Sequence, residues 1–106
     1  MFFILVKESF FNKRKLTKIT ERHATLYELL KEYIKTIEPN FEYTTITANK
    51  NIVCEKHIDK YNQKPSLAIG LGEYTGGELV IGDIEHNIRH TPTIFHGKEE
   101  HYSKPF

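Results

Sequence analysis

From Phe41 to Phe106 the chain is written in short runs of β-forming residues, broken by Gly, Asn, Asp and Pro, with no helical stretch between them. This texture constrains the fold more than any other feature. Strands joined by short breaks pair antiparallel, because a parallel pair needs a long crossover that is usually a helix. The runs are Thr44-Thr45-Ile46-Thr47-Ala48, Ile52-Val53-Cys54, Ser66-Leu67-Ala68-Ile69, Glu78-Leu79-Val80-Ile81 and Thr93-Ile94-Phe95. Their β-branched content suits a pleated, half-buried surface. Turns are expected at Asn49-Lys50-Asn51, Thr75-Gly76-Gly77, Gly82-Asp83 and Gly97. Gly76-Gly77 supplies backbone angles barred to other residues, which places Tyr74 and Glu78 on successive strands.

Ahead of this region lies a different pattern. Met1-Phe2-Phe3-Ile4-Leu5-Val6 is apolar, lacks a basic leader and meets Lys7 and Glu8 too early for a signal peptide or a membrane span, so a first strand is expected and a membrane partner is not. Leu26, Leu29, Leu30, Tyr33, Ile34 and Ile37 recur at helical spacing with Glu28, Lys31, Glu32 and Lys35 between them, which predicts one amphipathic helix. Thr25 with Glu28 offers a capping box, Thr20 an earlier start, and Pro39-Asn40 a stop. At 106 residues the chain has room for one domain. The expected architecture is α+β and mainly β: a helical front over about 16–38 and a β-rich core over about 41–106. Fifteen Lys and Arg stand against fourteen Asp and Glu, so bulk charge calls for neither nucleic acid nor an anionic membrane. The local basic run Lys13-Arg14-Lys15 with Lys18 reads as solvated surface. A single cysteine, Cys54, cannot form an internal disulfide and reads as a small strand residue, not a nucleophile. It points to a reducing, intracellular setting, the cytoplasm.

Chemistry enters with His57-Ile58-Asp59. On a strand, residues i and i+2 share a side, so His57 and Asp59 can face a common cavity while Ile58 turns the other way into packing. An imidazole, a carboxylate and a further imidazole from a neighbouring strand would hold a divalent metal on one face and leave the other open. Alone, His-x-Asp is a weak pattern and is more often an ordinary surface pair. Six histidines are present. His101, past the Gly97 turn, ranks first for the third ligand and His96, beside that turn, second; His86 and His90 sit in a polar hairpin with Asn87 and Arg89, where surface roles are expected, and His23 lies at the helix start, where a structural role is. Asn49, Asn51 and Ser66 can donate hydrogen bonds to a bound small molecule, although turn formation for the two asparagines and strand polarity for the serine are the stronger readings. The glycines lack a following Lys-Ser/Thr and helix, so a phosphate loop is a poor reading.

Several blocks taken in order carry a more specific signal. They are Asn49-Lys50-Asn51, His57-Ile58-Asp59-Lys60-Tyr61-Asn62, Ser66, Leu71-Gly72-Glu73-Tyr74-Thr75-Gly76-Gly77-Glu78-Leu79, Ile88-Arg89-His90-Thr91-Pro92, Phe95-His96-Gly97 and His101-Tyr102-Ser103-Lys104-Pro105-Phe106. Over roughly its C-terminal half the chain resembles the 2-oxoglutarate/Fe(II)-dependent dioxygenase superfamily, in particular small viral and protist-type double-stranded β-helix oxygenases. The resemblance implies a jelly roll, here incomplete and backed by the N-terminal helix, with His57, Asp59 and His101 as Fe(II) ligands. It implies 2-oxoglutarate as co-substrate, decarboxylated oxidatively to succinate and carbon dioxide as a C–H bond is hydroxylated. It also implies a basic residue, commonly Arg, on a strand after the distal histidine. Five residues follow His101 and Lys104 is their one cation, too early for that place. The expectation is therefore a dioxygenase or a C-terminally truncated form of one, with an open strand edge available for self-association. The alternative is a non-catalytic jelly-roll binding module that retains a metal site; a cupin-like metal protein without a 2-oxo acid comes third. A nucleobase, a protein side chain and a small molecule all remain open as substrate.

Overall fold

Alternate residues of the first strand pack into different layers, and this parity sorts the molecule. In the computed structural model, which describes residues 1–8, 18–59 and 64–106, β1 spans Phe2–Lys7. Its Ile4 and Val6 join Leu67 and Ile69 of β3 (Ser66–Leu71) and Ile34 of the helix α2 (Ala24–Ile37) in one core cluster. Phe3, with Leu5 packed alongside, enters a second cluster with Ala68 of β3, Leu79 and Ile81 of β4 (Leu79–Ile81), Ile88, and Phe95 of β6 (Thr93–Phe95). The N-terminal apolar run is therefore that of a strand buried on both faces. Val6, Leu67 and Leu79 are wholly buried, each worth about 1.5–3 kcal/mol relative to exposure.

The layers are a helix, a four-stranded sheet in the order β2-β1-β3-β6 with β2 spanning Thr45–Lys50, and a three-stranded sheet β5-β4-β7. β5 is Ile84–His86 and β7 is His101–Ser103. Every strand pair is antiparallel, so the mainly-β, antiparallel expectation holds at that level.

Several details differ from the sequence reading. A short helix α1 (Lys18–Arg22) precedes α2, with the break at His23, which occupies the N-cap without a side-chain hydrogen bond. The Thr25–Glu28 capping box does not form, because Thr25 already lies inside the helix. Leu26 and Leu29 remain about half exposed, since the first turns of α2 bury little. β2 runs on to Lys50, and the turn narrows to Asn51, whose φ of 56° is left-handed. Ile52-Val53-Cys54 is not a regular strand. Gly76 and Gly77 do take positive φ, 78° and 71°, but Tyr74 and Glu78 lie in the loop and not on strands. The run Lys13-Arg14-Lys15, the start of the helical front at 16–17 and the Lys60-Tyr61-Asn62 block lie outside the described residues. No described helix is long and apolar enough to cross a membrane.

Candidate metal centre

β7 is the element that assembles the site. On one side it pairs with β4, Ile81 opposite His101 and Leu79 opposite Ser103. On its other side it receives the irregular segment 54–57. His57 and His101 exchange both backbone hydrogen bonds at 3.0 Å, and Ser103 N–H donates to the Cys54 carbonyl at 3.0 Å. Three steps from Cys54 to His57 are thus matched by two from Ser103 to His101, which is the count of a β-bulge. The buried Ser103 hydroxyl accounts for the slip by accepting the Cys54 N–H at 2.6 Å. Asp59 is fixed in turn by its own N–H, which donates to the carbonyl of buried Gly97 at 2.7 Å.

The three predicted ligands meet. The Asp59 carboxylate faces both rings, with Oδ1 3.5 Å from His57 Nε2 and Oδ2 3.5 Å from His101 Nε2. The ring centroids are 4.4 Å apart. Each imidazole is oriented by the same local device: Nδ1 of His57 donates to the Glu55 carbonyl at 2.6 Å, and Nδ1 of His101 to the Glu99 carbonyl at 2.7 Å. A carbonyl can only accept, so the proton belongs on Nδ1 and the Nε2 lone pair of a neutral ring is left facing Asp59, the arrangement metal-binding histidines commonly use. Phe95 meets the His101 ring edge-on at 5.0 Å from the core side. Burial grades outward, from a His101 side chain 4% exposed through Asp59 at 15% to His57 at 43%.

Electrostatics follow from this geometry. The hydrogen-bonding contact with His101 outweighs burial and, with the charge of Lys7, holds the Asp59 carboxyl below its ordinary value. Burial alone works against a charged His101 ring, but Asp59 and the Glu99 carbonyl together overcome it and raise its pKa. Burial pushes the Cys54 thiol up, consistent with an inert packing residue.

Does the donor set fit a divalent cation? One donor atom from each of the three side chains lies within 4.8 Å of the other two, an opening that small side-chain rotations close to metal-ligand distances of about 2.0–2.2 Å. Asp59 Oδ2 is buried, and its one described contact is the long 3.5 Å approach of His101 Nε2, short of a regular hydrogen bond, which leaves the oxygen under-satisfied and able to take a stronger ligand. The set fits. Comparison with protein-family models, curated proteins and solved structures returned no match. The case for the site therefore rests on its own geometry.

Other sequence candidates fall elsewhere. His96 is exposed, with Nδ1 turned toward the Lys98 N–H, and its neighbour Gly97 serves through its backbone. Asn51 accepts a hydrogen bond from the Met1 amino group at 2.9 Å. Asn49 pairs with Phe3 and Ser66 shares the pleat parity of Ala68, so both lie on the sheet face that looks toward the second sheet. Ile58, expected in packing, is 52% exposed, because the segment leaves the sheet after His57. Lys104 is engaged by Glu85 at 2.6 Å and Arg89 by Glu73 at 2.8 Å. Sequence reading missed two things. The backbone carbonyls that orient the rings leave no trace in residue identity. Lys7 did leave one: it occupies the inward parity of β1, where Phe3 and Leu5 are apolar, and its Nζ lies 4.0 Å from Asp59 Oδ1.

Proposed function

We propose that this domain is a non-haem Fe(II) oxygenase core, its metal held by His57, Asp59 and His101 and its co-substrate 2-oxoglutarate, on a jelly-roll scaffold. The observation that carries the reading is the convergence of two Nε2 atoms on a carboxylate whose buried Oδ2 has no other described partner. Two imidazoles and one carboxylate with open positions are the ligand set associated with non-haem iron oxygenases. The part played by 2-oxoglutarate rests on the sequence resemblance alone. The chemistry that iron supplies in such a centre is activation of dioxygen for oxidative decarboxylation of the 2-oxo acid coupled to C–H hydroxylation. The chain's own work is to present two neutral rings in a fixed tautomer and to keep Asp59 ionised. It also closes the inner side with Phe95, leaving access past the half-exposed His57.

Anaerobic Fe(II) titration followed by an assay for succinate tests the reading. Succinate should form only with both Fe(II) and 2-oxoglutarate, and His57→Ala or Asp59→Ala should abolish it with the circular dichroism spectrum unchanged. A wild-type chain that binds no divalent metal sinks the reading. Metal binding without succinate formation would instead support the non-catalytic metal-retaining module, a second reading favoured by the engagement of Lys104 with Glu85 and of Asn51 with Met1.

A further inference from the structure

Lys7 closes β1 on the face that looks toward the second sheet, and its side chain is only 25% exposed. Among the described residues Asp59 is the one carboxylate within ion-pair reach of it, at 4.0 Å. Several other described cations have carboxylate partners of their own: Lys56 has Glu100, Lys64 has Glu8 and Glu42, Arg89 has Glu73, and Lys104 has Glu85. Lys7 is the described lysine paired with a carboxylate of this site.

Its presence sets the charge balance. The centre's own fixed charges are one ammonium and one carboxylate, which cancel, while the two histidines bind metal as neutral rings. A divalent ion held there adds a double positive charge to a set of four side chains that is otherwise neutral. It also draws Asp59 to itself, leaving a largely buried ammonium without its only described counter-ion, which is unfavourable for a charge removed from water. Both deficits are met by the same thing, an anion on the open positions beside Asp59.

We propose that Lys7 makes this centre selective for an anionic co-ligand, its ammonium donating charge-assisted hydrogen bonds to a small carboxylate that occupies the metal's open positions. The inference rests on the metal reading above and deepens it. It assigns the role to a residue at the opposite end of the sequence from the cation that the family resemblance implies after His101.

Co(II), which reports its ligands by visible absorption without turnover, separates the two ideas. The full chain is titrated first with Co(II) and then, when loaded, with oxalate, for wild type, Lys7→Met and Lys7→Arg. Lys7→Met should weaken oxalate binding by about tenfold or more, the usual weight of a hydrogen bond to a charged group. The same variant should bind Co(II) slightly more tightly, by about threefold, because a like charge near the metal is gone. Lys7→Arg should keep most of the oxalate affinity. Effects of opposite sign on metal and anion are what a merely structural lysine would not produce. Equal oxalate affinity in wild type and Lys7→Met overturns the proposal, as does a joint loss of metal and oxalate in Lys7→Met that Lys7→Arg does not restore. Absence of Co(II) binding in the wild type, visible in the first titration alone, overturns the metal reading and this inference with it.

Discussion

His101 answers to two masters, a proton and a metal, and they pull its pH dependence in opposite directions. In the metal-free chain its pKa is raised above the ordinary 6.5 by Asp59 and the Glu99 carbonyl despite burial. A raised imidazole contributes stability that is complete below the unfolded value and is lost as pH climbs through the folded one. The Asp59 pKa is lowered, so its contribution is present above the ordinary 3.8 and disappears as acid titrates the folded carboxyl. The pair therefore stabilises the metal-free fold most between these two values. Metal binding needs His101 neutral and must release its proton. Metal affinity is accordingly expected to rise with pH until the raised His101 pKa is passed, with proton uptake by the buffer measurable by calorimetry in buffers of different ionisation enthalpy. A pH-independent affinity between pH 5.5 and 8, chosen as the roughly neutral range in which histidine titrates, would remove His101 from the ligand set. The sequence ranks His101 ahead of His96 as the histidine that joins His57 and Asp59, although the two flank the same turn. Strand pairing favours the same choice: β7 sets His101 directly across from His57, while His96 stays outside the ladder.

At the level of elements, the slipped register between segment 54–57 and β7 is the feature that aims His57. Ser103 sustains it through one hydroxyl. Ser103→Ala leaves the Cys54 N–H without its acceptor, which should cost about 1–3 kcal/mol by chemical denaturation. It should also lower metal affinity about tenfold, the low end of what orienting partners of metal ligands are worth. Ile34→Ala is the matching control. It cuts a fully buried side chain from α2 on the far face of the four-stranded sheet and should lose about 2–5 kcal/mol of stability with metal affinity unchanged. If Ile34→Ala weakened metal binding as much as Ser103→Ala, the idea of a locally set bulge would fail. The contrast explains what was legible in the sequence. β1, β3, β4 and β6 announce themselves through apolar and β-branched runs that long-range pairing then satisfies. Segment 52–54 carries the same local composition, Ile52-Val53-Cys54, yet is irregular, since a bulge is a matter of hydrogen-bond count against a partner that lies about fifty positions away in the chain. β5 escaped for the opposite reason: Ile84-Glu85-His86 has little strand signal and is held by its register against β4.

For the whole molecule, the candidate site joins a loosely paired segment to the second sheet at a place where few apolar contacts do so. The described stretch 52–59 contributes no wholly buried apolar side chain; Ile52, Val53 and Ile58 are each about half exposed, and Cys54 only borders the core. Its attachment is mainly hydrogen bonds of its backbone to His101, Ser103 and Gly97, with the exposed Lys56–Glu100 pair and the Lys7–Asp59 contact beside them, and such regions open at lower free energy than the core. A cation bridging His57, Asp59 and His101 would tie this stretch to β7 and, because the unfolded chain has no such constellation, its binding free energy would appear as folding free energy. Metal at about one hundred times its dissociation constant should then add about 2.7 kcal/mol. For a domain of this size that corresponds to a rise in Tm of roughly 10–20 °C. The measurement is thermal unfolding with Mn(II), used because it resists oxidation, then with excess chelator, in wild type and Asp59→Ala. Reversal by chelator and absence of the shift in Asp59→Ala are expected. Hydrogen exchange should slow chiefly over residues 52–59 and 97–103, leaving β1 and β3 unchanged, because their burial already protects them without metal. A uniform slowing across all strands would mean that the metal acts on global unfolding alone, and the view of 52–59 as a separately opening flap fastened by its ligands would have to be abandoned.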